Sequence, residues 1–154
     1  MTNKNEKNIK IDKNKQIDLL YYEYNALYQD ISTYFGLSNS SLLVLTALST
    51  KQPYTQKQLS EQLFLPKQTI HSSINSLVKS GILIVKLSDN NNKAKEIYLT
   101  DKGEKFVDET VRALYEAEKK ASERLTDKEM EILFELTKKH LVYVQEEINK
   151  KFNL

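Results

Sequence analysis

The stretch TQKQLSEQLFLPKQTIHSSINSLVKSG, residues 55–81, runs straight into ILIVKLSDNNNKAKEIYLTDKG, residues 82–103, and together they decide the fold. Thr55 and Gln58 make a T-x-x-Q capping box that opens a short helix through Leu63. Leu65-Pro66 supplies the turn, with Pro66 expected at the first position of the next helix, where its missing N–H costs nothing. That helix runs to about Ser80, and Gly81 caps it. Ile82 to Leu87 and Ala94 to Leu99 are β-prone runs around the turn formers Asp89-Asn90-Asn91-Asn92. Thr100 then caps a further helix. Two helices at a tight turn followed by a hairpin form a winged helix-turn-helix, whose second helix sits in the major groove of DNA.

Working outward, residues 1–14, MTNKNEKNIKIDKN, are polar and low in complexity, and read as a flexible N-terminal arm. Over residues 15–36, Ile17, Leu20, Tyr21, Tyr24, Leu27, Tyr28, Ile31, Tyr34 and Phe35 recur at spacings of three and four. They make one face of a long helix that Gly36 ends. Ser38 caps a second helix carrying Leu42, Leu45 and Leu48, which Gln52 and Pro53 stop. The helix from Thr100 has a stripe at Phe106, Val107, Val111, Leu114, Ala117 and Ala121. Thr126 and Glu129 form a second capping box, opening a last helix with Met130, Leu133, Leu136, Leu141, Val144 and Ile148 on one side. The expected fold is mainly α with a small β-hairpin wing, in a single structural domain. Its parts are the arm (1–14), a helix (15–36), the winged helix-turn-helix region (37–100) and the C-terminal helices (101–154).

The 154 residues suffice for one domain with a real core, without disulfides or metals. The chain has no cysteine, which excludes a disulfide framework, a thiolate zinc site and a thiol redox sensor. No signal peptide or membrane span is visible, since apolar runs such as Leu42 to Leu45 are far too short. A soluble cytoplasmic protein is the expectation. Net charge is +2, unevenly spread: residues 51–100 carry seven Lys against three acids, while residues 101–154 have an acidic excess. The positive excess therefore falls on the winged segment, as a phosphate-facing surface requires. Ordinary variation in a Lys-rich chain is the competing account.

On the helix after Pro66, Ile70, Ile74, Leu77 and Val78 are the expected buried stripe. The opposite side carries Gln68, Ser72, Asn75, Ser76 and Lys79, flanked by Lys67, Thr69 and His71. Gln and Asn can bond adenine bidentately, while Lys and Thr suit phosphates. A lone helix with such a face would be merely solvated. Here the preceding helix, turn and hairpin agree, and base readout is the better reading. Lys93 and Lys95 on the hairpin can reach the backbone or the minor groove, against the plainer reading of a solvated hairpin. No cofactor is implied. His71 and His140 are the only histidines, so a zinc site would need mostly carboxylate ligands, which is unusual. His140 reads instead as a helix-face residue. There is no Gly-rich phosphate loop and no recognisable Ser-His-Asp constellation, so catalysis is not expected.

The order of six helices with a wing, the segment INSLVKSGIL and the run IYLTDKG together resemble MarR-type transcriptional regulators over about residues 15 to 152. The resemblance implies a homodimer, held by the first and last two helices, across a pseudo-palindromic operator in double-stranded DNA. It places base recognition around Lys67 to Ser72 with the wing beside it, and repression as the commoner mode. It also implies a small aromatic effector in a cleft near the dimer helices, for which Tyr21, Tyr24 and Tyr28 are candidates. Core packing with wet hydroxyls explains these tyrosines equally well. Two departures stand out: the family often has Arg where Ser72 stands, and an Asp-Arg pair at the wing tip where this chain has Asn91-Asn92. They open an alternative, a winged-helix protein with weakened DNA readout acting through a protein partner.

Overall fold

A computed structural model describes residues 3–88 and 91–154, with side chains over 13–88 and 94–154. The expected class holds, mainly α with a small sheet. The chain divides into two compact units, 1–112 and 113–154. The first unit begins with helix α1, Asn3–Tyr34, then α2, Asn39–Thr50. A short strand β1, Tyr54–Thr55, precedes helices α3, Gln56–Gln62, and α4, Lys67–Lys79. Strands β2, Leu83–Ser88, and β3, Asn91–Leu99, form the wing, and helix α5, Asp101–Val107, follows. The first helix thus starts twelve residues before the expected Lys15. Residues 3–14 contain no Gly or Pro to break a helix.

Helix ends follow side-chain chemistry. The Ser38 hydroxyl accepts from the Ser41 amide, and the capping box at Thr55 and Gln58 is complete in both directions. Gly36 and Gly81 take left-handed backbones (φ +67° and +73°) and end their helices in Schellman motifs. The same motif ends α3: the Leu65 amide donates to the Ser60 carbonyl (3.2 Å), and the Ser60 hydroxyl donates to the Leu65 carbonyl (2.7 Å). Its left-handed position is held by Phe64, at φ +53° and 92% exposed, where glycine would rest without strain. Pro66 sits one place earlier than expected, as the N-cap of α4.

The core of this unit surrounds α2, which is apolar nearly all round: Leu42, Val44, Leu45, Ala47 and Leu48 are buried. Leu59 from α3, Ile70, Ile74 and Leu77 from α4, and Ile82, Leu83 and Ile97 from the sheet complete it. Val78 is exposed, against expectation, and Ser73 is buried in its place. At 100° per residue, positions 73 and 78 flank the stripe of 70, 74 and 77 at nearly equal angles on opposite sides, so the start of α2, which covers the Ser73 side, decides which one buries. Ser73 is tolerated because its hydroxyl donates to Ser40 Oγ (2.8 Å).

The sheet is three-stranded and antiparallel, in the order β1-β3-β2. Strand β1 was not expected, because two residues carry no period. Gln52 continues its edge: the side-chain oxygen accepts from the Leu99 amide (3.0 Å) and its N–H donates to Glu104 (2.8 Å).

The run Leu99-Thr100-Asp101-Lys102-Gly103 ties the wing to the end of α4. The Thr100 hydroxyl accepts from the Gly103 amide (3.0 Å) and donates to the Gly81 carbonyl (2.7 Å). Lys102 Nζ donates to the Ser80 carbonyl (2.7 Å). A β-carbon on Gly103 would lie 2.1 Å from the Ile82 carbonyl oxygen, so this approach admits glycine alone. Beyond α5, the expected single helix is interrupted by a π-helical turn, Asp108–Arg112, which lets Val107, Thr110 and Val111 all bury.

The second unit comprises α6, Ala113–Ser122, and α7, Asp127–Phe152. Thr126 and Glu129 form the expected capping box. The Thr126 backbone N–H, and then its hydroxyl, hold the Glu129 carboxyl below its ordinary range. Among the described residues, no single helix is long and apolar enough to cross a membrane.

Two substitutions test this account by urea unfolding. Gly103→Ala forces backbone apart and should lose about 1–3 kcal/mol. Phe64→Gly relieves a left-handed residue that buries nothing, and should gain roughly 0.5–1 kcal/mol, the helix strain less the added freedom of the unfolded chain.

Candidate nucleic-acid interface

Helix α4 is presented by the unit's core on one side and leaves the other side open. Lys67, Gln68, His71, Ser72, Asn75, Ser76 and Lys79 are exposed and Thr69 is half-buried. The expected readout residues therefore share one accessible helix surface, an arrangement that fits a groove. They offer amides, hydroxyls, an imidazole and two ammonium groups, with no acid among them.

Two of these side chains, His71 and Asn75, belong to a run of hydrogen bonds that begins outside the helix. Gln56, at the start of α3, donates from Nε2 to the Lys67 carbonyl (3.0 Å). Its Oε1 faces His71 Nδ1 at 3.4 Å, and His71 Nε2 lies 2.9 Å from Asn75 Nδ2. Gln56 had no part in the sequence reading. Its only sequence signal is its place just after a capping threonine, which does not reveal what it reaches.

Beside this face runs a groove of about 410 Å³, between the start of α2 and α4, with Ser38, Ser40, Gln68, Thr69, Ser72 and Ser76 among its walls. Serine hydroxyls of this kind suit phosphate oxygens. A second cavity, of about 370 Å³, lies where α1 meets α2 and reaches the turn before α4. Gln29, Ser32, Thr33, Leu37, Leu43 and Leu65 are among its lining residues.

On the wing, Lys95 is exposed and pairs with Leu87 across the strands. Lys86 stands opposite Glu96, with its ammonium 5.3 Å from the Tyr98 ring centre. Glu96 accepts from the Ser88 hydroxyl (2.8 Å) and the Tyr98 hydroxyl (2.7 Å), which stiffens the base of the hairpin. The side chains of Lys93, Asn91 and Asn92 lie outside the described residues, so the expected wing-tip contact rests on sequence alone.

The tyrosines expected near an effector are not core. Tyr21 and Tyr24 are 49% and 64% exposed, and Tyr24 stacks on Tyr28 with ring centres 5.7 Å apart. The reason is that α1 buries only Ser32 among its described side chains. None of the three tyrosines lines either cavity. Among the described residues, no three His, Asp or Glu side chains are grouped to hold a metal ion, and His140 is half-buried on α7.

Residues 35–92 match the family model of the MarR family. No curated protein matches the sequence. Solved structures share the fold at low identity. A MarR family regulator from Neisseria meningitidis superposes with a TM-score of 0.68 at 22% identity, covering 88% of this chain and 98% of its own. Another MarR family transcription regulator gives a TM-score of 0.74 at 18% identity, with 95% and 96% covered. A MarR transcriptional regulator from Methanosarcina mazei gives 0.65 at 19%, with 85% and 96% covered. These matches are to transcription regulators rather than to enzymes.

Proposed function

We propose that this chain is a homodimeric MarR-type regulator that binds a pseudo-palindromic operator, a reading supported by the family match over residues 35–92 and by the shared fold. The observation that carries the reading is the outward face of α4. Gln68, His71, Ser72 and Asn75 are exposed together on a helix whose other face is locked into the core. Gln68 and Asn75 read base edges. Lys67, Thr69 and the serine-walled groove seat phosphates, and Lys93 and Lys95 hold the wing against the duplex.

The dimer is supported by apolar surface that each unit leaves open. On α1, Leu19, Leu20, Tyr21, Tyr24 and Leu27 are 49–64% exposed. On α7, Leu133, Leu136, Leu141, Val144 and Ile148 are 39–61% exposed. Apolar faces of this extent on two helices mark an interaction surface, and a second copy covers both in an isologous contact. The half-sites then lie about one helical turn apart, ~10 bp between centres, or a multiple of it.

Regulation is steric: the dimer occludes a promoter in a cytoplasmic setting, and a small aromatic effector releases it by changing the spacing of the recognition helices. The cavity of about 370 Å³ supports this, because one of its walls is Leu65 in the turn that positions α4. Tyr21, Tyr24 and Tyr28 remain effector contacts only where a partner chain closes over them. One observation favours a second reading, in which DNA readout is weakened and a protein partner is the target. Ser72 stands where an arginine is frequent, and the chain's two arginines, Arg112 and Arg124, both lie outside the winged segment.

Fluorescence anisotropy on DNA from upstream of its own gene, beside a shuffled duplex, tests the proposal. Selective, salt-sensitive binding by a species that sediments as a dimer is expected; equal, weak binding to both duplexes favours the protein-partner reading. Gln68→Ala should cost about 1–3 kcal/mol on the selected site and relax base preference there. An unchanged preference would move base readout elsewhere on α4. Lys95→Ala should weaken all duplexes alike and flatten the salt slope by roughly one phosphate's worth. A sequence-selective loss would give Lys95 a different role.

A further inference from the structure

With the imidazole neutral, the hydrogen bonds between Gln56, His71 and Asn75 admit one arrangement of protons. The Lys67 carbonyl can only accept, so the Gln56 amide must turn its N–H₂ toward it (3.0 Å). That leaves Gln56 Oε1 facing His71 Nδ1 (3.4 Å), and since a carboxamide oxygen also only accepts, Nδ1 must carry the imidazole proton. In the neutral ring the other nitrogen, Nε2, is then an acceptor. Asn75 can meet it at 2.9 Å only through an N–H of Nδ2. Lys67, His71 and Asn75 stand four residues apart along one face of α4, so the sequence of bonds runs down the surface that faces DNA.

We infer that Gln56 is a positioning residue for base recognition: acting through His71, it fixes which end of the Asn75 amide is offered to DNA. With one N–H committed to His71, Asn75 offers its carbonyl oxygen and its remaining N–H. A donor beside an acceptor is the pattern that fits N7 and the N6 amino group of adenine. Without the relay, the amide is free to rotate and to present both N–H groups, which suits the paired acceptors of guanine equally well. The inference rests on the proposed DNA-reading function for its consequence, though not for its geometry.

The experiment separates the two. With ¹⁵N-labelled histidine in the full-length protein, long-range ¹H–¹⁵N correlation at mildly alkaline pH, where imidazole is neutral, reports the tautomer of each ring. His71 and His140 are the only histidines, so the two signals are assigned with one variant. His71 should be mainly in the Nδ1–H form, and Gln56→Leu should abolish that preference while leaving His140 unchanged. An Nε2–H form in the unaltered protein, or a tautomer indifferent to Gln56→Leu, overturns the relay without any DNA present. Selection from a randomised duplex pool is the second arm. Gln56→Leu should admit guanine at one position per half-site reserved for adenine, lowering discrimination about tenfold. An altered tautomer with unaltered base preference overturns the positioning role. Loss of all selectivity in the unaltered protein, with the tautomer as expected, would instead sink the proposed function and leave the relay standing.

Discussion

The contact between the end of α4 and the start of α5 is the constraint on which the winged unit depends. Within three residues, the Ser80 and Gly81 carbonyls accept from Lys102 and Thr100, and Gly103 lies against the Ile82 carbonyl with no room for a β-carbon. The Thr100 amide also donates to Ile82 (3.0 Å), so the strand ladder continues to this point. A helix C-terminus, two strands and a helix N-terminus therefore share one set of backbone groups. The carbonyls at the end of α4 would otherwise be orphaned, and the amides at the start of α5 likewise. The Thr100 hydroxyl serves one group at each end, donating to Gly81 and accepting from Gly103, and with the Lys102 ammonium it ties α4 to the wing. The reach of Lys95 and the presentation of Gln68 are consequently set by one joint rather than by two flexible parts.

That joint was legible in sequence as Leu99-Thr100-Asp101-Lys102-Gly103, although the reason for its glycine was not. Caps and terminators were read well because they are local: Ser38, Thr55, Thr126, Gly36 and Gly81 act within a few residues of their own positions. Features that needed a distant partner were missed. Strand β1 exists because Ile97 and Glu96 are there to pair with it. Ser73 is buried because Ser40, thirty-three residues away, receives its hydroxyl. Gln56 matters through a histidine fifteen residues on. The π-helical turn escaped for a different reason, since Val107 and Val111 also suit an ordinary helix at spacing four.

Periodicity also revealed apolar faces without saying what covers them. Leu20, Tyr24 and Leu27 on α1, or Leu133 and Leu136 on α7, look in sequence like core residues. In the single chain they are exposed while Leu42, Val44, Leu45 and Leu48 of α2 are buried. The difference lies in what packs on each helix, which one chain's sequence pattern cannot encode. The tyrosines of α1 belong to this class. A phenol on an uncovered face can serve a chain–chain contact, with its ring against apolar neighbours and its hydroxyl in water, and need not enclose a ligand.

The chemistry of the candidate interface has a consequence for where specificity resides. An arginine at a wing tip or on a recognition helix brings delocalised charge and a planar fork, and is favoured in a narrow minor groove. This chain offers lysines there, compact and strongly hydrated, which neutralise phosphates but discriminate little between sequences. On the proposed DNA-reading function, discrimination falls on the amides of α4, where each bidentate contact depends on the orientation of a group that can otherwise rotate freely. A carboxamide on an exposed helix face loses that freedom only when something holds it. Gln68 reaches from the serine-walled groove, and Asn75 is held by His71. A DNA reader of the proposed kind, built without arginine, has more need of such restraints than one whose forks are planar from the outset, and this links the composition of the winged segment to the hydrogen bonds that cross from α3 to α4.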